Sequence, residues 1–357
     1  MLSLENKEWE EFFIGGKNGL FNITSTLSGI DKNKLVFSDN GQIPYITRTD
    51  IDNGINLFVP NNQLSKYKIN YGNIITIGLD TQTVFYQAHS FFTGQNIQVV
   101  EHNLLNKYNG LFLIPLIKIQ MEKFNWGGNG ATLGRLSRTK IMLPVNKKNK
   151  PNFEYMEEYT KSIKDKKLEE YKKYANKVLA NLEYKKVELL ENKEWEEFFL
   201  TDIFSTIQRG KRLTKSNQKS GNIPYISSTS MNNGVDNFIG NKTNVRIFSD
   251  CLTIANSGSV GASFYQPYKF VASDHVTHLK KENMSKYVYM FISTLTNRFS
   301  EKYNFNREIN DARISREKIM LPVNKKNQPD FEYMDQYMKN ITYKKINQYL
   351  NYLEKKN

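Results

Sequence analysis

Glu5-Asn-Lys-Glu-Trp-Glu-Glu-Phe-Phe13 returns letter for letter as Glu191-Asn-Lys-Glu-Trp-Glu-Glu-Phe-Phe199, and a repeat of this length settles the architecture before any single motif is weighed. Beyond it the chain pairs up block by block. Gly41-Gln-Ile-Pro-Tyr-Ile46 matches Gly221-Asn-Ile-Pro-Tyr-Ile226, Asn53-Gly54 matches Asn233-Gly234, and Phe85-Tyr-Gln87 matches Phe264-Tyr-Gln266. Arg135-Leu-Ser-Arg138 matches Arg313-Ile-Ser-Arg316, and Lys140-Ile-Met-Leu-Pro-Val-Asn-Lys-Lys148 reappears as Lys318 to Lys326. The offset drifts only from 186 to 178 residues, so short loop deletions reconcile the copies and the chain is a tandem duplication. The shared blocks are apolar or turn-forming, whereas the polar loops between them diverge. Thr47-Arg-Thr-Asp50 stands against Ser227-Ser-Thr-Ser230, and Asp80-Thr-Gln-Thr83 against Asn256-Ser-Gly-Ser259. Two domains reading different ligands would show this pattern; relaxed drift of surface loops would resemble it.

Each copy reads as a β-rich α+β module. Ile74-Ile-Thr-Ile77 and Leu252-Thr-Ile-Ala255 are short β-prone runs bounded by Gly, Asn and Asp. Asn53-Gly54, Asn233-Gly234 and Asp39-Asn-Gly41 are turn signals. Leu111 to Met121 and Lys286 to Arg298 have helical length and apolar stripes. Each module then ends at a proline and passes into a helix. Met156, Tyr159 and Ile163 follow a 3,4 spacing that resumes, after one skip, at Leu168, Tyr171, Ala175, Val178 and Leu182. Met334, Tyr337, Ile341, Ile346, Tyr349 and Leu353 repeat it 178 residues later. The expected organisation is a first module over 1–152, a spacer helix over 153–190, a second module over 191–330 and a second helix over 331–357. The helices are expected to pair as an antiparallel coiled coil, giving pseudo-twofold symmetry. The first would run about 33 residues, roughly 50 Å at 1.5 Å per residue, and the second would stop about eight residues short of it.

The 357 residues suffice for two substantial cores, and 39% hydrophobic content is normal for a globular chain. No apolar run approaches the roughly 20 residues needed to span a bilayer. The opening Met1-Leu-Ser-Leu-Glu-Asn-Lys-Glu8 is not a basic region followed by an apolar one, so a cytoplasmic location is expected. Cys251, the only cysteine, excludes disulfides and cysteine-rich zinc sites. Of the net charge of +14, the helical segments carry little: nine Lys against eight acids over 153–190, and five Lys against three acids over 331–357. The remaining +11 lies on the modules, where a basic surface suits phosphate contact and also solubility.

The openings Trp9-Glu-Glu-Phe12 and Trp195-Glu-Glu-Phe198 (the latter followed by Asp202-Ile-Phe204), the Ile-Pro-Tyr-Ile blocks, the Gly-rich Asn256-Ser-Gly-Ser-Val-Gly261 loop and the closing Leu-Pro before a long helix occur in an order that resembles the specificity (S) subunits of type I restriction–modification systems. The resemblance spans the chain. It implies two target-recognition domains, each reading one half of a bipartite site in double-stranded DNA, with two methyltransferase (M) subunits docked and restriction (R) subunits as further partners. It implies no cofactor and no catalytic residues on this chain. The chain is short for that pattern and begins almost directly at its first module. S-type subunits of type IIB systems are a second member of the resemblance, and the sequence does not choose between them.

Sequence reading of DNA needs side chains at base edges, with cations and amides at phosphates. Arg48, with Thr47 and Thr49, occupies a divergent loop and can contact guanine O6 and N7 bidentately. Ser228 and Thr229 occupy the counterpart loop. Asn256, Ser257, Lys211 and Arg212 are further DNA-binding candidates. Arg135, Arg138, Arg313 and Arg316 are shared by both copies, which favours phosphate clamping over base selection; a structural ion pair is the bland reading. Trp9, Trp195, Tyr45 and Tyr225 read as core or junction residues, and His275 and His278 as structural, with Asp274 as a hydrogen-bond partner. A spacer of this length can act as a ruler for the unspecified gap.

Two other classes compete. A self-contained DNA-modifying enzyme is disfavoured: Gln42-Ile-Pro-Tyr45 lacks the second proline of an amino-methyltransferase loop, Gly127-Gly-Asn-Gly130 has no suitable strand before it, and a Walker loop is absent. Pro329-Asp330 with Glu354-Lys355-Lys356 only mimics a nuclease signature, since its counterpart in the first copy is Pro151-Asn152. A protein-interaction scaffold is permitted by the helices; the basic, loop-rich modules argue against it.

Overall fold

The computed structural model describes residues 2–5, 7–124 and 130–356. The chain divides into two compact units, Met1–Tyr171 and Lys172–Asn357. The first contains strands β1 (Trp9–Phe13), β2 (Asn22–Ser25), β3 (Ile43–Ile46), β4 (Ile55–Val59), β5 (Ile74–Gly78), β6 (Val84–Gln87), β7 (Phe92–Thr93) and β8 (Ile97–Glu101). Helices α1 (Lys107–Met121) and α2 (Leu133–Leu136), strand β9 (Lys140–Pro144) and the long helix α3 (Phe153–Leu179) follow, the last running on into the second unit.

The repeated block that opens the module is one half of a clasp. β1 pairs antiparallel with β9, Trp9 opposite Pro144 and Phe13 opposite Lys140, so the first and last strands of the module bind each other. Inside the clasp lie two sheets, an antiparallel one in the order β2-β8-β5-β6 and a mixed one in the order β4-β3-β7. β5 is central and buried on both faces, which explains its unbroken Ile-Ile-Thr-Ile run. The turn signal at Asn53-Gly54 holds: both residues take left-handed backbone (φ +56° and +80°), which a β-branched side chain would resist. Against the antiparallel sheet α1 buries Phe112, Leu113, Ile117 and Met121. It starts four residues before the expected Leu111 because Asn106 caps it, accepting from the Tyr108 and Asn109 amides at 2.9 and 3.1 Å while Asn109 returns the bond at 2.7 Å.

The second module repeats this plan with β10 (Trp195–Phe199), α4 (Leu200–Ile203), β11 (Thr206–Arg209), β12 (Ser220–Ile226), β13 (Val235–Ile239), β14 (Ile247–Phe248), β15 (Cys251–Ala255), β16 (Ser263–Gln266), β17 (Phe270–Ala272) and β18 (Val276–Lys280). Helices α5 (Lys286–Thr296) and α6 (Asp311–Ile314), strand β19 (Lys318–Pro322) and helix α7 (Phe331–Lys356) complete it. The clasp recurs as β10 on β19 in the same register, and the sheets recur as β11-β18-β15-β16 and β13-β12-β17-β14. Trp9 stacks on Phe112 and Trp195 on Phe291, with ring centroids 6.3 and 6.2 Å apart, so both tryptophans lock the clasp onto the module's helix. Tyr45 and Tyr225 are buried and donate to the Ile30 and Leu213 carbonyls.

The first long helix corrects the expectation of about 33 residues. It has 27 residues and α7 has 26, so the two match and the anticipated shortfall of the second disappears. The chain leaves α3 because the residues after it bind elsewhere. Leu182 enters the second module's core, and the backbone of the segment that follows is taken up by α7. Gln336 Nε2 donates to Glu183 O at 2.8 Å, and Asn340 brackets Lys185 by donating to its O at 2.6 Å and accepting from its N–H at 3.2 Å. Tyr333 OH donates to Glu188 O at 2.9 Å. Among the described residues, no helix is long and apolar enough to cross a membrane.

Candidate nucleic-acid interface

In each module one tight turn gathers the divergent loops. In the second it is 272–276, which follows β17. Gly210 N–H donates to Val276 O and Lys211 N–H to Ala272 O, which fixes the loop after β11. Ser273 N–H donates to Ile226 O, which fixes the loop after β12, and Asn256 N–H donates to His275 O, which fixes the loop after β15. The first module repeats the scheme: Gly94 N–H donates to Ile46 O and Leu79 N–H to Asn96 O. The segment leading into the short helix of the conserved arginines joins the same place, Ala131 N–H donating to Leu79 O and Ile309 N–H to Asn256 O. Residues far apart in sequence therefore meet at one end of each module.

The candidates fall into three groups on this frame. Thr47, Arg48 and Thr49 are half-buried, and Arg48 forms an ion pair with Asp80 across the two loops. Ser228 and Thr229 take the same place in the second module, where Ser259 N–H donates to Ser228 O at 2.9 Å. Lys211 and Arg212 are exposed, and beside them Arg246 donates to the Arg209 carbonyl at 2.7 Å. Arg246 escaped sequence reasoning because it lies in an unremarkable loop and is brought in only by strand pairing. Asn256, by contrast, is wholly buried and accepts from Thr277 Oγ1 at 3.0 Å; it holds the loop from inside. Ser257 is nearly buried, its Oγ 2.7 Å from His275 Nδ1.

The conserved arginines divide by position. Arg135 Nη1 donates to Gly130 O at 2.9 Å and Arg313 Nη1 to Glu308 O at 2.5 Å, equivalent bonds that brace the segment before each short helix. Arg138 and Arg316 are exposed. Arg138 lines a cleft of about 700 Å³ with Arg135, Lys123, Lys140 and Met142, a basic recess open to solvent.

His275 and His278 take partners other than Asp274. His278 is buried, its Nδ1 2.8 Å from Gln208 O and its ring stacked on Phe248, and burial lowers its pKa below the ordinary value. Asp330 accepts from the Tyr333 amide at 3.0 Å and pairs with Lys193, as Asn152 accepts from Tyr155, so both cap their helices. Gly130 is the only member of the Gly127–Gly130 cluster within the described residues. Among the described residues, no cluster of His, Cys, Asp and Glu has the make-up of a metal site.

A family model for the type I restriction modification DNA specificity domain matches residues 6–173 and matches again over residues 192–352. The chain belongs to that family. The specificity subunit S.BcgI of the type II restriction enzyme BgcI from Heyndrickxia coagulans is 33% identical over 314 residues, 87% of this chain and 88% of that one. Among solved structures, the S subunit of a type I restriction–modification system from M. genitalium aligns over 99% of this chain and 94% of its own, at 16% identity and a TM-score of 0.47. The HsdS subunit from Thermoanaerobacter tengcongensis aligns over 97% and 91%, at 12% identity and a TM-score of 0.33. The protein is a specificity subunit of a restriction–modification system, a recognition chain and not itself a catalyst. Its two specificity domains are the two copies of the repeat.

Proposed function

We propose that each module of this specificity subunit reads one half of a bipartite site in double-stranded DNA, that α3 and α7 set the unspecified gap, and that two methyltransferase subunits dock on the assembly in the cytoplasm. The observation that carries this reading is the convergence of the divergent loops on one turn in both modules, while the backbone hydrogen bonds that hold the turn recur in both copies. Same frame and different exposed chemistry is what two readers of different sequences require. Arg48, Thr47 and Thr49 in one module and Ser228 and Thr229 in the other face base edges, while the nearly buried Ser257 supports them from behind. Lys211, Arg212, Arg138 and Arg316, all exposed, meet phosphates, with Arg135 and Arg313 bracing the segments beside them. The relative at 33% identity serves a type II enzyme, which favours a type II assembly over a type I assembly with separate restriction subunits.

Methylation mapping of cells carrying the chain with its methyltransferase, against cells lacking only this chain, tests the reading. Loss of one bipartite motif is expected. An unchanged methylome would refute it.

A further inference from the structure

The hub of each module contains a further group of side chains. In the first, Asp80 accepts from Arg48 Nη1 and, at 3.3 Å, from Asn96 Nδ2. The backbone bonds correct the pairing of these loops by one residue: Leu79, not Asp80, matches Asn256, since Leu79 donates to Asn96 as Asn256 donates to His275, so Ser257 stands where Asp80 stands and His275 where Asn96 stands. Thr47 N–H bonds to Gly54 O as Ser227 N–H bonds to Gly234 O, which puts Ser228 at the place of Arg48. All three positions change between the copies, while Ile46/Ile226 and Gly54/Gly234 around them do not.

We propose that this three-residue post is the specificity determinant of its half-site: in the first module Asp80 is a positioning residue that makes Arg48 a guanine reader, and in the second His275, oriented by Ser257, is the reading group. The inference rests on the two-half-site reading above. A long arginine side chain on a loop has many rotamers to lose, and one held in advance loses less per bond formed. Asp80 supplies that hold, since its side chain is 19% exposed against 39% for Arg48. A carboxylate on one Nη leaves the rest of the guanidinium fork for the O6 and N7 acceptors that only guanine presents side by side in the major groove. The same carboxylate would repel phosphate if left alone, so it is tolerated at such a surface only together with the arginine, and the second module lacks both. There the exposed imidazole has Nδ1 engaged by Ser257 at 2.7 Å, which leaves Nε2 as its outward polar atom.

Methylation mapping of the intact complex in cells, with Asp80→Ala, Asp80→Asn, His275→Ala and His275→Gln, tests this. Asp80→Ala should reduce preference for guanine at one position of one half-site by roughly 5- to 150-fold, the range of a bidentate contact. Other positions, the second half-site and the gap should be unchanged, with permitted sites still methylated. Asp80→Asn, which keeps the shape and loses the charge, should relax the same position. The His275 variants should broaden the other half-site only. A motif unaltered by all four variants, or methylation that falls equally at every site with the motif intact, overturns the proposal and leaves the two-half-site reading standing. A wild-type complex without a bipartite motif overturns that reading itself.

Discussion

His278 shows how a residue that only packs still makes a measurable statement. It is 3% exposed, and burial holds its pKa below the ordinary 6.5. His102, whose ring stacks 4.5 Å from that of Phe153, is lowered for the same reason. A group with a depressed folded pKa binds fewer protons folded than unfolded between the two values, so its stabilisation is complete above about 6.5 and declines as pH falls towards the folded pKa. The melting temperature should therefore drop between pH 7.5 and pH 5.5, and His278→Gln should remove part of the drop. A pH-independent melting temperature, or an unaltered drop in the variant, would contradict the assignment. At this scale the sequence was partly readable. Arg48 is visible as a candidate because it is a cation in a divergent loop. Its tether Asp80, 32 residues away, is not, because strand pairing alone brings the two together. Asn256 has a base reader's chemistry and occupies the core, a distinction that only burial makes.

The modules' helices carry a second conserved linkage. The residue that caps α1, Asn106, donates to Glu157 one turn into α3 at 2.6 Å, and the residue that caps α5, Ser285, donates to Asp335 at the equivalent point of α7. Each module is thereby held at a set angle to the start of the helix it feeds. The 3,4 spacing begins at Met156 and Met334, one turn inside the residues Asn152 and Asp330 that cap the two long helices. It misplaced the end of α3 because apolar spacing continues through Leu182, whereas the chain turns away to satisfy α7 with its backbone. If α3 is a ruler, inserting four residues after Lys164, in its exposed middle, lengthens it by about 6 Å. The gap between half-sites should grow by one or two base pairs of about 3.4 Å each, with both half-sites unchanged. Methylation mapping reads this directly, and an unchanged gap would dismiss the ruler.

Across the whole chain, duplication was the most legible feature, and the pairing of β1 with β9 was invisible, since nothing in either strand names a partner more than a hundred residues away. The identical clasp strands and their shared register predict that the interiors can be exchanged. Replacing residues 5–148 with residues 191–326 should give a folded chain whose methylation motif contains the second half-site twice; retention of the first half-site would show that recognition lies outside the clasp. The clasp also has a direction. Trp9 lies opposite Pro144 and Val145 N–H donates to Glu8 O at 3.0 Å, so the chain enters and leaves the module at the same end of the strand pair. Tension applied between those two points loads the hydrogen bonds one after another, as a zipper is opened, and not all at once in shear. The four-stranded sheet inside bears no force until the last pair has parted, which makes the clasp the mechanical fuse of the module.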